Sequence, residues 1–126
     1  MMVVDTDVLI DYLADQGAGA ERVARELQIG GLHTTSITRF ELLAGARSER
    51  QQRTIIDLLS ALWTLPLDAA AADRAARVRR DLEAQGAPIG MADSLIAGIV
   101  LANDGLLITR NRAHFERVAG LKLARG

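Results

Sequence analysis

The 126 residues suffice for one domain but not for two, and 49% hydrophobic with only 3% aromatic residues predicts an aliphatic core. The chain has no cysteine, which excludes disulfides and thiolate metal sites and is usual in a cytoplasmic protein. The net charge of −1 does not point to nucleic acid. Asp5 and Asp7 interrupt the apolar N-terminus, so neither a secretory signal nor contact with a membrane is expected.

Short apolar runs alternate along the chain with segments of helical spacing. The runs at 2–4 and 106–108 are typical of strands buried on both faces of a parallel sheet. Ser36 or Thr38 can cap one of the helices, and Asp68 can cap another. In the first half of the chain the pattern predicts a strand at 2–4, helices at 8–13 and 21–27, a strand at 32–35, and helices around 40–43 and at 51–62. In the second half it predicts a strand at 63–65, a helix from the Asp68 cap to Gly86 and a helix at 91–103. A strand at 106–108, a short helix at 114–115 and an edge strand at 121–123 complete the predicted elements.

This alternation predicts an α/β fold, a three-layer sandwich with a mainly parallel central sheet. Parallel strands are joined by right-handed crossovers, so their carboxyl ends meet at one edge of the sheet. Ligands of such sheets bind at that edge. Polar residues that follow the strands are therefore the first candidates for chemistry.

Four polar residues fall at those places: Asp5, Glu41, Asp93 and Asn111. Carboxylates brought together repel one another, and a divalent cation with oxygen ligands is the usual remedy. Mg²⁺ or Mn²⁺ fits this donor set better than Zn²⁺, since no cluster of histidine or cysteine is present. Three of them also have a plainer interpretation, because Asp5 and Asp93 suit helix starts and Asn111 suits a turn. Glu41 lies among apolar neighbours, which is unusual for a surface acid.

The other acids and both histidines are expected to play no direct part. We expect the acids to be solvated, with Asp7 close enough to the cluster to influence it, and the histidines to be ordinary surface or half-buried residues. The acids are Asp7, Asp11, Asp15 and Asp104, and the histidines are His33 and His114.

Four segments, in this order, resemble the PIN-domain ribonucleases and specifically the VapC-type toxins of bacterial toxin–antitoxin pairs. The resemblance covers nearly the whole chain and implies a single PIN-like nuclease domain over 1–126. Asp7 stands where many relatives have Asn, and Asn111 stands where many have an acid, which leaves the number of metals open. The segments are VVDTDVLIDYL with Asp5, TSITRFELLAG with Glu41, IGMADSLIAGIVLAND with Asp93 and LLITRNRAHFERVAGLKL with Asn111.

The resemblance implies an endoribonuclease in which a water activated by Mg²⁺ or Mn²⁺ attacks an RNA phosphodiester. It implies that Asp5 and Asp93 bind the metal and that Glu41 is a further ligand or the general base. Asn111 would complete the site or orient a water.

Substrate and partner contacts follow from the same resemblance. Thr109 would hydrogen-bond Asp5 or the RNA. Flanking phosphates would be held by Arg110, Arg112 and Arg117. A cognate antitoxin would cover the acidic cleft. A homodimer is also implied, with the apolar helices near 8–13 and 55–62 as candidate surfaces.

Two other interpretations remain open at this stage. The DTDV opening also resembles the haloacid-dehalogenase-like phosphatases, in which Asp5 would become phosphorylated, but that class needs a lysine after the mid-chain motifs. Lys122 is the only lysine and lies far toward the C-terminus. The second alternative is a non-catalytic interaction module on the same fold, which would not bind Mn²⁺ through Asp93.

Overall fold

The computed structural model describes residues 1–125, and it contains each of the predicted helices and strands. The boundaries differ from the predicted ones by a few residues at most ends, where a cap or a turn extends or shortens the apolar pattern. The strands are β1 (Met2–Val4), β2 (His33–Thr35), β3 (Trp63–Leu65), β4 (Leu106–Ile108) and β5 (Lys122–Leu123). The helices are α1 (Thr6–Leu13), α2 (Gly17–Ile29), α3 (Ser36–Ala44), α4 (Glu49–Ser60), α5 (Ala69–Ala84), α6 (Met91–Ala102) and α7 (Arg112–Phe115).

The five strands form one parallel sheet in the order β3-β2-β1-β4-β5. The chain runs outward from β1 through β2 to β3, then crosses back to place β4 on the other side of β1. The direction of strand addition therefore reverses between β1 and β4. In open parallel sheets this reversal leaves a crevice beyond the carboxyl ends of the two central strands.

Successive residues of the central strands pack into two cores on opposite faces of the sheet, as the pleat requires. Val3 and Leu107 belong to the core that α5 and α6 cover. Val4 and Ile108 belong to the core that α1, α2 and α4 cover. The predicted three-layer α/β architecture is confirmed.

The cap of α3 differs from the predicted one. Thr35, the last residue of β2, is the N-cap, and its hydroxyl accepts a hydrogen bond from the backbone N–H of Thr38 at 3.1 Å. Ser36 is already the first helical residue, and its hydroxyl accepts from the N–H of Leu67. Since β2 passes into α3 without a loop, the last strand residue must serve as the cap. Asp68 caps α5 as predicted, with a bond to the N–H of Ala71 at 2.9 Å.

The apolar helices that were predicted as dimer surfaces turn most of their apolar side chains inward. Val8 and Leu9 of α1 and Ile55 of α4 lie in the core. Ile10 and Ile56 remain on the surface, 46% and 43% exposed. The homodimer stays a prediction. Within residues 1–125, none of the helices has the length and apolar character to cross a bilayer.

Candidate active site

Asp5 lies at the carboxyl end of β1, inside the crevice between β1 and β4. Its backbone N–H donates to the carbonyl of Ile108 at 2.9 Å, which extends the pairing of the two strands by one bond. Its carboxylate is buried, only 4% of the residue being exposed. Oδ1 accepts from the N–H of Thr6 at 2.7 Å, and Oδ2 accepts from the hydroxyl of Thr109 at 2.8 Å. The predicted contact between Thr109 and Asp5 is thus present.

Burial raises the pKa of Asp5 from 3.8 to about 6. The hydrogen bonds from Thr109 and from the backbone of Thr6 lower this pKa, whereas the negative charges of Asp93 and Asp7 raise it further. Asp93 lies 88 residues after Asp5 in the sequence, so it is the fold that brings Asp5 and Asp93 close enough to interact electrostatically. Asp7 influences the site as predicted.

Asp93 lies in the first turn of α6 and faces the segment that follows β4. Its Oδ2 accepts a hydrogen bond from the amide nitrogen of Asn111 at 3.0 Å. His114 completes the group, because its Nδ1 is 3.1 Å from Asp93 Oδ2 and 2.8 Å from Asn111 Nδ2. His114 is half-buried, as expected, but its contacts with two of the predicted site residues were not foreseen. The spacing was the available signal, since Asn111 occupies the N-cap position of α7 and residues three apart share one helix face.

Glu41 is joined to Asp5 through Thr6. The N–H of Thr6 binds Asp5, and its hydroxyl donates to Glu41 Oε1 at 2.7 Å. The same hydroxyl lies 3.0 Å from that of Thr38. Thr6 has one hydroxyl proton and an ionised carboxylate only accepts, so Thr38 must be the donor in the contact with Thr6. Thr6 was not among the predicted site residues, although its position next to Asp5 at a helix start is visible in the sequence.

The predicted ligands do not form one compact acidic cluster. Within residues 1–125, no three side chains of His, Cys, Asp or Glu come together as a group that could hold a metal ion. The structure instead pairs Asp93 with an amide and a histidine, and it ties Asp5 and Glu41 to threonines. Metal binding by Asp5, Glu41 and Asp93 therefore remains a prediction.

Arg110 follows the site residue Thr109 and points back over α1. Its Nε lies 3.2 Å from Asp11 Oδ2, and its Nη2 lies 4.0 Å from Asp7. The expectation of a solvated Asp11 was wrong, since its side chain is only 14% exposed beneath this arginine. The Arg110 side chain itself is 60% exposed and remains accessible to a phosphate.

Arg112 and Arg117 serve the local structure. Arg112 Nη1 donates to the carbonyl of Ala124 at 2.6 Å, which attaches the C-terminal segment to α7. Arg117 Nη1 donates to the carbonyl of Pro88 at 3.2 Å. The predicted phosphate contact of Arg112 would have to compete with this internal bond.

Comparison with known proteins places this geometry in a family. A model of the PIN domain family matches residues 2–121. The tRNA(fMet)-specific endonuclease VapC of Shigella flexneri is 33% identical over 95% of this chain and 93% of that protein. The DNA-bound VapBC of Salmonella typhimurium aligns with a TM-score of 0.86 and 27% identity, over 98% of this chain and 96% of that chain. VapBC-5 of Mycobacterium tuberculosis, of the VapBC family of toxin-antitoxin systems, aligns with a TM-score of 0.64 and 25% identity, over 75% of this chain and 82% of that chain.

The chain therefore belongs to the PIN-domain family and to its VapC-type ribonucleases. Membership of this family excludes the alternative that the chain is a haloacid-dehalogenase-like phosphatase. Lys122, the only lysine, lies on the edge strand β5 and contacts the exposed Asp104 at 3.4 Å, away from Asp5.

Proposed function

We propose that the chain is a divalent-metal-dependent endoribonuclease that acts as the toxin of a toxin–antitoxin pair. The burial of Asp5 supports this most directly. Its ionised form is costly beside Asp93 and Asp7, and a bound cation would offset that cost. The hydrogen bonds from Thr6 and Thr109 keep the carboxylate in place at the crevice.

Mg²⁺ or Mn²⁺ fits the donor atoms at this edge of the sheet. Asp5 and Asp93 offer carboxylate oxygens, and Asn111 offers an amide oxygen. Mg²⁺ commonly binds one or two carboxylates and keeps several waters, so a compact group of three acids is not required. When bound, the cation would ease deprotonation of the attacking water and neutralise charge on the scissile phosphate.

The protein side chains would position the acids and accept the proton. Thr6 contacts Asp5 and Glu41 at the same time, which fixes the positions of the two carboxylates relative to each other. Glu41 would accept the proton of the attacking water, the role of a general base. Glu41 is only half-buried, so its side chain remains accessible to water.

A cavity of about 630 Å³ beside Thr109 supports a path for the RNA backbone. Thr109 both lines this cavity and donates to Asp5, so a strand lying there would pass next to the acids. A guanidinium group can bind two oxygens of one phosphate at the same time. The lining of the cavity has more arginines than acids, since its acids are only Asp11 and Glu21. The arginines of the lining are Arg22, Arg25, Arg110 and Arg125.

An apolar groove on the other side of Glu41 supports the antitoxin partner. It has a volume of about 490 Å³ and is lined by Ile10, Leu13 and Leu42 among others, together with Glu41 itself. An antitoxin segment that filled this groove would cover the acidic side chain and block access to the crevice. The solved VapBC assemblies make such a partner the natural expectation for this chain.

Metal-dependent cleavage of RNA tests the proposal. Purified protein is incubated with labelled RNAs in Mg²⁺ or Mn²⁺, with EDTA as the metal-free control. The panel includes initiator tRNA, because the Shigella flexneri relative is specific for tRNA(fMet) by name. Asp93→Asn is expected to lower the cleavage rate at least about a hundredfold, since it removes a charged metal ligand. Asp73→Asn, an exposed acid on α5, is the matched control and should cleave like the wild type.

Each outcome has a definite meaning. Cleavage that EDTA and Asp93→Asn abolish supports a metal-dependent ribonuclease. Equal cleavage by wild type and Asp93→Asn contradicts it, because the activity then comes from a contaminant. If no RNA is cut and Mn²⁺ does not bind, the chain is a non-catalytic module of the same fold.

A further inference from the structure

His114 forms a triangle of polar atoms with Asp93 and Asn111. The three separations are 3.1 Å between His114 Nδ1 and Asp93 Oδ2, 3.0 Å between Asp93 Oδ2 and Asn111 Nδ2, and 2.8 Å between Asn111 Nδ2 and His114 Nδ1. Asp93 comes from the first turn of α6, Asn111 directly precedes α7, and His114 lies within α7. They meet at the same sheet edge as Asp5.

Protons alone do not satisfy this triangle while Asp93 is ionised. If His114 Nδ1 carries a proton, it faces the Asn111 amide nitrogen donor to donor at 2.8 Å. If it carries none, it faces the Asp93 oxygen acceptor to acceptor at 3.1 Å. Turning the amide, which is equally compatible with its shape, places two oxygens 3.0 Å apart. Every arrangement leaves one repulsive pair, and a cation shared by the three side chains removes it.

We propose that His114 Nδ1, Asp93 Oδ2 and the amide oxygen of Asn111 form one face of the divalent-cation site, an inference that rests on the metal dependence proposed above. Adjacent donors of an octahedral cation with bonds of about 2.1 Å lie about 3.0 Å apart. The observed separations of 2.8 to 3.1 Å already match that spacing. Only the turn of the Asn111 amide is needed to present an oxygen.

A histidine ligand has a consequence for metal choice. Imidazole nitrogen suits transition metals, whereas Mg²⁺ takes oxygen ligands almost exclusively. The site is therefore expected to bind Mn²⁺ more tightly than Mg²⁺. The loss of His114 should weaken Mn²⁺ binding and leave Mg²⁺ binding much less affected.

Mn²⁺ spectroscopy and calorimetry on the full chain test the assignment without any RNA. Electron spin-echo measurements on bound Mn²⁺ detect a directly coordinated imidazole nitrogen. The variants are His114→Gln and, as the matched control, His33→Gln, which changes the other histidine of the chain, on β2. We expect a nitrogen signal in the wild type and in His33→Gln, and its loss in His114→Gln. The Kd for Mn²⁺ should rise about tenfold or more in His114→Gln, since even indirect ligand partners are worth that much.

Three results would count against the proposal, and they separate a wrong ligand assignment from a wrong metal dependence. If Mn²⁺ binds without a nitrogen signal, His114 is not a ligand, while the ribonuclease proposal stands. The same conclusion holds if the signal survives in His114→Gln. If the wild type binds no Mn²⁺ at all, both the ligand assignment and the proposed metal dependence fail.

Discussion

At the scale of single residues, Asp5 combines burial with a charge that the metal-free protein accommodates poorly. The folded protein binds the Asp5 proton more tightly than the unfolded chain does, because burial raises the folded pKa to about 6. Asp5 therefore favours folding below about pH 4, and this contribution is lost as the pH rises through 6. The full loss amounts to about 3 kcal/mol, since one pKa unit corresponds to about 1.4 kcal/mol.

The pH dependence of unfolding tests this electrostatic cost. In EDTA, wild type should lose about 3 kcal/mol relative to Asp5→Asn between about pH 4 and pH 7, because the variant cannot ionise at this position. The measurement is urea unfolding at several pH values. Asp73→Asn changes an exposed acid and should follow the wild type at every pH. Parallel pH profiles of wild type and Asp5→Asn would show that Asp5 titrates as a normal surface acid.

Thr6 and Thr109 show how neutral residues organise the acids. Each binds one oxygen of Asp5, and each also contacts a second site residue: Thr6 contacts Glu41, and Thr109 accepts from the N–H of Asn111 at 2.9 Å. These hydroxyls hold carboxylates at fixed positions without adding charge. Charge patterns in a sequence do not reveal residues of this kind.

At the scale of helices and strands, the packing of α5 against α6 depends on Gly98. A Cβ atom at this position would lie 2.5 Å from the Cβ of Ala75 and 2.6 Å from the carbonyl oxygen of Ala71. The Ala71 oxygen belongs to the backbone and the Ala75 Cβ is bonded directly to it, so neither atom can move aside as the end of a long side chain could. The close approach of the two helices therefore depends on the absence of a side chain at Gly98.

Replacing Gly98 by alanine should therefore destabilise the protein. We expect Gly98→Ala to lower the free energy of unfolding by roughly 1–3 kcal/mol, as overpacking does, despite the better helix propensity of alanine. Thermal and urea unfolding measure this change. Gly90→Ala is the control, because Gly90 is the N-cap of the same helix, with an ordinary φ of −61° and nothing within 4 Å of an added Cβ. A Gly98→Ala protein as stable as the control would mean that the helices separate without cost.

At the scale of the whole molecule, strand order brings the site together. Asp5 follows β1 and Asn111 follows β4, and these strands are neighbours although a hundred residues separate them in the chain. Asp93 reaches the same crevice from α6, which packs behind β1 and β4. The unfolded chain holds these donors far apart, so a cation that needs several of them binds the folded state alone.

Metal binding should therefore raise the stability of the fold. At a Mn²⁺ concentration about a hundred times its Kd, the wild type should gain about 2.7 kcal/mol at neutral pH, and its Tm should rise accordingly. Thermal unfolding with Mn²⁺ or EDTA measures the gain. Asp73→Asn should gain the same amount and Asp93→Asn little. A wild-type Tm that is the same in Mn²⁺ and in EDTA would exclude a metal site built from these residues.

Much of the fold was predictable because it depends on local patterns. The apolar runs at β1 and β4 predicted buried strands, and Asp68 predicted the start of α5, since a cap is chosen by its immediate neighbours. The α3 cap was mispredicted by one residue, because only the strand partner of β2 shows where the strand ends and the helix begins.

The sequence by itself determined the class of fold, the elements and the set of polar residues that follow the strands. Hydrophobic periodicity and capping act over a few residues, so one chain is enough to show them. Only the tertiary structure decided how these residues combine. It placed His114 beside Asp93, paired the half-buried Asp11 with Arg110 and attached Arg112 to the C-terminal segment. Such contacts depend on strand order and helix packing, which join positions far apart in the chain.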